Sequence, residues 1–382
     1  MTLSSRVFFT VDALPDQWDD VAQNNLFLTK RYFKVLEQSA PANMTCFYIG
    51  VFREGRLVGC ALSQFLDMGS LSSFGARDHC IKETIRLFFF KRFVSRVLIL
   101  GNNMLSGENA FVFADNLPPL EYFRALNDGL DEIGRHLAQE KRDPHLTVWK
   151  DFCPDHAREF QSVLGHEYFR FSAQPNMILS VRPAWNTERD YVNDLTKKYR
   201  DQYKRARKKA EDITMRQLSA QEIEKNKSKL YELYLTVAQN APFNTFYLRD
   251  NHWLSLKENL GDDFLFYGYF NGDQLIGFDT LIKNGSTMET YFLGYDGHVQ
   301  KQRMLYLNML YNMLGYAIKN GFKRVIFART AMEIKSSVGA KPVELVGFMK
   351  HRNSIFQALL PKLYHYFEPE AQWQQRHPFK HP

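Results

Sequence analysis

The chain is poor in the residues that build metal and disulfide scaffolds. Only four cysteines occur in 382 residues, and Cys46, Cys60, Cys80 and Cys153 form no C-x-x-C pair. Neither a zinc ribbon nor a disulfide framework is therefore signalled, and free thiols in a reducing compartment are expected. The eleven histidines give no HExxH or HxH spacing, and His351, His365, His377 and His381 read as surface residues, so no metal centre is expected. GxSxG and GxxxxGK[ST] are missing too, which removes the usual serine-nucleophile and P-loop readings. Long apolar runs are lacking: the nearest, Leu87 to Leu100, is cut by Lys91, Arg92 and Arg96, short of the roughly 18 residues a span needs. The opening Met1-Thr-Leu-Ser-Ser-Arg-Val-Phe-Phe-Thr has no apolar core and no cleavage site, so a cytoplasmic location is expected. The net charge is small as well. Lys+Arg 49 against Asp+Glu 42 leaves only +7, which permits an anionic partner without demanding nucleic acid, and DNA is not expected.

What the chain has is core material and a repeat. Hydrophobic residues make up 45% and aromatic residues 15%, enough for a large interior, and the length suggests two domains at roughly 100–200 residues each. Tyr48-Ile-Gly-Val-Phe-Arg-Glu-Gly-Arg-Leu-Val-Gly59 aligns without gaps on Phe266-Tyr-Gly-Tyr-Phe-Asn-Gly-Asp-Gln-Leu-Ile-Gly277. Both read as strand, tight turn, strand, because alternating aromatic and β-branched residues flank Glu54-Gly55 and Asn271-Gly272. The first hairpin is followed by a strand (95–100), a helix (120–139), a strand (146–149), a short helix (155–163) and a closing strand through Leu179. The second is followed by the same order: 287–293, 304–319, 324–327, 332–337 and 343–349. The fold class expected is α/β with mixed sheets, in two tandem units, 1–182 and 183–382, parted where Arg182-Pro183-Ala184-Trp185-Asn186 breaks a strand.

Thr187–Asp212 reads as one long helix carrying Lys197, Lys198, Arg200, Lys204, Arg205, Arg207, Lys208 and Lys209 with Asp201 opposing them. Tyr191, Leu195, Tyr199, Tyr203 and Ala206 form its less polar stripe. The cations are either a solvated face or a surface for phosphates, in which Lys204, Arg205, Lys208 and Lys209 would bind substrate.

These segments resemble a family. The opening Phe27-Leu28-Thr29 with Tyr32 to Glu37, the strand-loop Leu98 to Gly107, the basic stretch Lys197 to Lys208 and the late segment Phe327-Ala-Arg329-Thr330-Ala-Met-Glu333-Ile-Lys335 through Ala340 are similar to the Fem-type, peptidoglycan biosynthesis/recognition proteins. The resemblance implies two tandem acetyltransferase-like (GNAT) domains. It implies transfer of an acyl or aminoacyl group to an amine of an anionic cell-envelope precursor or lipid. The donor would be acyl-CoA or aminoacyl-tRNA, with no tightly bound cofactor. A binding module that has lost its donor site is the alternative, because the stretch matching the GNAT pyrophosphate loop, His298-Val-Gln-Lys-Gln-Arg303-Met304, has cations but no glycine to let phosphate approach the backbone. Partners implied are an anionic small-molecule or lipid-linked substrate and tRNA. Peripheral contact with the inner membrane face would come from Arg86-Leu-Phe-Phe-Phe-Lys-Arg-Phe-Val-Ser-Arg96, which reads either as an interfacial segment or as a buried helix-to-strand junction.

Acyl transfer to an amine needs a proton acceptor, a proton donor and an oxyanion partner. Alternation along Met288–Tyr295 puts Glu289, Tyr291, Leu293 and Tyr295 on one face. Glu289 is then a base and Tyr291 or Tyr295 an acid, unless the strand is simply half-buried packing. Arg329, Glu333 and Lys335 share the turn after a strand: Arg329 and Lys335 position substrate, or Lys335 meets an oxyanion, or Lys335 and Glu333 form a tethering ion pair. Asn308 and Tyr306 on the preceding helix are further candidates. The first unit's counterpart, Lys150-Asp151-Phe152-Cys153-Pro154-Asp155, retains little of this chemistry and marks that unit as a structural partner.

Overall fold

The computed structural model describes residues 3–22, 25–70, 93–114, 117–240, 244–367 and 373–381. Cys80 and the Arg86–Arg92 part of the aromatic and cationic run lie outside the described residues. The chain forms two units. One comprises Met1–Gln174, Pro242–Arg249 and Glu344–Glu370, the other Pro175–Ala241, Asp250–Val343 and Ala371–Pro382.

In chain order the first half contributes β1 (Leu3–Phe8), α1 (Trp18–Ala22), α2 (Lys30–Ser39), β2 (Met44–Arg53), β3 (Arg56–Asp67), β4 (Arg96–Leu100), β5 (Phe111–Phe113), α3 (Pro119–Gln139), β6 (Leu146–Phe152), α4 (Pro154–Val163) and β7 (Phe169–Ser180). The β2–β3 hairpin closes through Glu54 and Gly55, both at positive φ (51° and 79°), as a hairpin turn twisting with its strands requires. Antiparallel β1, β2, β3 and β4 are followed by parallel β6. Beneath them Phe123 of α3, Trp149 of β6 and Phe160 of α4 are fully buried in one cluster.

The second half supplies α5 (Glu188–Asp194), α6 (Lys197–Lys209), β8 (Ile213–Gln217), α7 (Ala220–Lys225), α8 (Lys227–Ala238), α9 (His252–Leu260), β9 (Phe264–Asn271), β10 (Gln274–Asn284), β11 (Thr287–Thr290), β12 (Gly294–Tyr295), α10 (Gly297–Arg303), α11 (Leu305–Lys319), β13 (Arg324–Ile326), α12 (Met332–Ser337), β14 (Lys341–His351) and α13 (Ser354–Phe367). Its sheet repeats the first one's plan: antiparallel β8, β9, β10 and β11, then parallel β13. One sheet face carries the apolar side of α11, with Leu305, Met309, Tyr311 and Leu314 buried. On the other, Trp253 of α9 meets the stacked Phe266 and Phe278 rings. Gly59 faces Phe113 across β3–β5 and Gly277 faces Tyr295 across β10–β12, so the aligned hairpins hold equivalent places.

Three features differ from the sequence reading. The units are not contiguous halves divided at 182/183: Val346–His351 of β14 pair with β6 in the first unit, while Ile178–Ser180 of β7 pair with β13 in the second. Each unit is closed by a strand from the other half of the chain, and nothing local in either strand encodes that destination. The basic helix is two helices, because Leu195 and Thr196 are extended (ψ 144° and 163°). The terminal segment holds that break, with Thr196 N–H donating to the Pro378 carbonyl (2.8 Å) and Lys380 N–H to the Asp194 carbonyl (3.0 Å). Lastly, Met288–Tyr295 is not one strand: register sums with β10 move by one residue between Leu281↔Thr290 and Phe278↔Gly294, and a one-residue slip flips the facing side.

Candidate active site

In the second unit, parallel β11 and β13 pair only as far as Glu289↔Ile326. Beyond that point the two chains turn to different partners. Tyr291 N–H donates to the Thr280 carbonyl of β10 (2.9 Å), whereas Phe327 N–H donates to the Met177 carbonyl of β7 (2.8 Å). The shared ladder ends there, and strand ends are the place where α/β sheets present backbone and side chains to a ligand.

The lip on the β13 side is strained. Ala328, Thr330 and Ala331 all have positive φ (56°, 65° and 46°), a conformation unfavourable for side chains with a Cβ. One group supports this turn. Lys335 of α12 is only 5% exposed, and its Nζ donates to the carbonyls of Arg329 (2.5 Å) and Ala328 (3.4 Å). Burial pushes its amine down to about 7, so it changes charge near neutrality although it is a lysine. The ion pair with Glu333 that the sequence allowed does not form. Glu333 is exposed and is held by Arg376, whose Nε lies 3.1 Å from Oε1. Arg329 lies half-buried on the strained turn itself.

Next to the turn lies a cleft of about 670 Å³, lined among others by Lys198 and Gln202 of α6, Glu333 and Ser337 of α12, and Trp373 and Arg376 of the terminal segment. Gln202 Nε2 reaches Ser337 Oγ (3.2 Å) and the Tyr311 hydroxyl (3.3 Å). Two cations against one carboxylate make the cleft suited to an anion, with Trp373 as an apolar wall. Lys204, Arg205, Lys208 and Lys209 are all exposed on α6, whereas Arg207 turns inward and pairs with Glu188.

The remaining candidates separate. Glu289 and Tyr291 face the α8–α9 side of the sheet, and Tyr291 OH lies 3.1 Å from His252 Nε2. After the bulge Tyr295 faces the other side, near Tyr306 (ring centroids 6.1 Å), so the proposed single row of carboxylate and phenols does not exist. Glu289 is 4% exposed and burial lifts its carboxyl to about 8, with Arg324 pulling the other way. Burial raises the Tyr295 hydroxyl too. Asn308 is a staple rather than a ligand-facing group. Its Nδ2 donates to the Ala206 carbonyl (2.9 Å) and the Met304 carbonyl (3.1 Å), holding the left-handed Met304 joint of α10 and α11 against α6.

Sequence reasoning missed a polar chain beneath the sheet. Asp279 accepts from Tyr269 OH (2.5 Å), Tyr269 OH accepts from Asn312 Nδ2 (3.0 Å), and Asn312 Oδ1 accepts from Arg207 Nη1 (2.6 Å). Burial lifts Asp279 to about 7 despite the tyrosine. A carboxylate inside the apolar run Leu275–Ile282 was the available signal. Trp373 and Arg376 had none, because only the fold brings them to α12. At the matching strand end of the first unit, chemistry also persists: Lys150 Nζ donates to the Asn102 and Leu105 carbonyls (2.9 and 2.8 Å) and pairs with buried Asp151 (2.7 Å).

Comparison with known proteins bears on this geometry. The model of the FemAB_like family, described as peptidoglycan biosynthesis/recognition, matches residues 176–380. The crystal structure of FemX is similar with a TM-score of 0.55 at 11% identity, covering 96% of this chain and 100% of that one. A tandem GNAT protein from the clavulanic acid biosynthesis pathway gives 0.49 at 11% identity (92% and 99% covered), and L-PGS from Bacillus licheniformis 0.47 at 10% (88% and 96%). At these identities the likeness is one of fold. No curated protein sequence matches significantly.

Proposed function

Since the chain belongs to the FemAB-like family of peptidoglycan biosynthesis/recognition proteins, we propose that it transfers an acyl or aminoacyl group to an amine on an anionic cell-envelope precursor or lipid. The observation that carries this reading is Lys335, a buried amine fixed to the strained turn at the strand ends and titrating near 7. In its protonated form it can donate to an oxyanion as charge develops, without the reorganisation a surface cation would need. The acceptor nitrogen forms the new C–N bond as the donor's ester C–O or thioester C–S bond breaks, and one amine proton ends on the departing oxygen or sulfur.

The structure of the donor side favours aminoacyl-tRNA over acyl-CoA in this reading. At the start of α10 the N–H groups of His298 and Val299 already donate to the Asp296 carboxylate (2.8 and 3.2 Å), and that carboxylate would repel a pyrophosphate. Lys198 and Arg376 in the cleft then take the anionic group of a substrate. The exposed cations of α6 bring the protein to tRNA or to the inner membrane face. No helix among the described residues is long and apolar enough to cross a membrane.

The test incubates the full chain with charged tRNAs or acyl-CoAs and with nucleotide-linked and lipid-linked precursors, and weighs the acceptor by mass spectrometry. An aminoacyl or acyl mass gain that Lys335→Met removes supports the reading. Tight binding of an anionic precursor with no transfer from any donor overturns it in favour of a binding module.

A further inference from the structure

Away from the transfer site, the first unit brings Glu108 to Cys153 and His156, which lie 45 and 48 positions further along the chain. Glu108 sits in the loop between β4 and β5, Cys153 caps the entrance to α4, and His156 lies in that helix's first turn. One oxygen, one sulfur and one ring nitrogen lie within 4.8 Å of one another. We propose that Glu108, Cys153 and His156 form a binding site for a borderline-soft divalent cation of the zinc class.

The scaffold is already fixed. Pro154 sets the backbone entering α4. The opposing loop is pinned by Gly107 N–H donating to Asp151 Oδ2 (3.1 Å) and by Lys150 Nζ on the Leu105 carbonyl (2.8 Å). Glu108 Oε1 faces His156 Nδ1 at 2.6 Å and also accepts the Cys153 N–H (3.0 Å). A cation entering between them replaces the hydrogen bond from ring to carboxylate, while the Cys153 N–H continues to orient the carboxylate. Tetrahedral Zn²⁺ takes S, N and O donors at about 2.3, 2.0–2.1 and 2.0–2.2 Å, so the ligand atoms need approach one another only by side-chain rotation. His156 and Glu108 are 52% and 40% exposed, which gives the cation a route in and leaves the fourth position to water.

The donor set suits a metal: on binding a dication, the Cys153 thiol proton leaves to solvent and the thiolate bonds the metal. The hard ions Mg²⁺ and Ca²⁺ fit poorly, since sulfur and imidazole are two of the three ligands. Searching the sequence for C-x-x-C or HxH passes over this site. Cys153-x-x-His156 supplies only two ligands, and Glu108 arrives through the fold.

Cobalt titration of the chelator-stripped full chain, with a phosphine reductant present, tests the proposal. One equivalent of Co²⁺ should bring up a thiolate-to-cobalt charge-transfer band that Zn²⁺ then abolishes. Cys153→Ser should lose the band, His156→Gln should weaken binding by roughly tenfold or more, and Cys46→Ser should keep it. Far-ultraviolet circular dichroism of each variant confirms that the fold is retained. No band in the parent chain, an equal band in Cys153→Ser, or binding indifferent to His156→Gln overturns the site.

Discussion

Replacing Lys335 by Met keeps most of the stem and removes the amine, and its effect on stability can be worked out before any substrate is known. The amine sits at about 7 in the folded chain against 10.5 as its ordinary value. Between those limits the unfolded chain binds more protons than the native one, so the lysine's contribution makes native stability rise with pH, by up to about 1.4 kcal/mol per unit. Below pH 7 both states are protonated and the full cost of the buried charge is present. The two carbonyl hydrogen bonds favour the ammonium and reduce that cost. Met removes the titration and also leaves the Ala328 and Arg329 carbonyls without this donor, at about 1–3 kcal/mol independent of pH. Between pH 7 and pH 9 the parent should therefore gain roughly 2–3 kcal/mol of stability relative to the variant, on top of a pH-independent offset. Urea unfolding of both proteins at pH 6.5, 7.5, 8.5 and 9.5 measures the difference, and parallel curves across that range would falsify the burial argument. In a transfer assay the variant should lose about 10²–10³ in turnover, and parental activity should fall as pH rises through 7 if the ammonium is the working form.

Other perturbations isolate other parts. Changing Lys204, Arg205, Lys208 and Lys209 together to Gln should weaken binding to anionic vesicles or tRNA and flatten its salt dependence without moving the melting temperature, since these side chains are exposed; an unchanged salt slope returns them to the role of a solvated face. Asp279 is raised to about 7, so the native state binds the extra proton between about pH 4 and 7 and stability falls across that window; Asp279→Asn should remove this fall, as read by pH-dependent urea unfolding. Gly339 has φ +105° and an added Cβ would lie 2.3 Å from the Phe379 ring; Gly339→Ala should cost about 1–3 kcal/mol, whereas Gly134→Ala, open on all sides in α3, should stabilise by about 0.4–1 kcal/mol. A thermal shift of the same sign for both glycine variants would contradict the backbone argument.

Local pattern carried the hairpins. Alternation and turn residues place β2–β3 and β9–β10, and the paired Gly59 and Gly277 mark equivalent registers. Periodicity gives α3 and α11 within a residue or so. It failed where a tertiary partner decided the outcome. Leu195–Thr196 is helical by pattern and extended because residues 378–380 bond to it. Tyr295 follows Glu289 by an even count, yet the extra residue before Gly294 reverses its face. Lys335 reads from sequence only as a cation on a turn; its burial and its hold on the Ala328 and Arg329 carbonyls depend on left-handed turns that no residue preference announces.

The reciprocal closing strands bear on how the chain must be made. The edge of β6 stays bare on the nascent polypeptide until Val346–His351 emerge roughly 200 residues later, some 10–40 s at about 5–20 residues per second. Throughout that interval the β6 edge is open to other chains, a second nascent copy among them. The first unit can begin early but cannot finish before the second has been translated, so synthesis order and completion order differ. A ribosome stalled after residue 182 would release a half with a missing edge, one that only the distant carboxyl-terminal segment, supplied in cis or as a separate peptide, is shaped to fill.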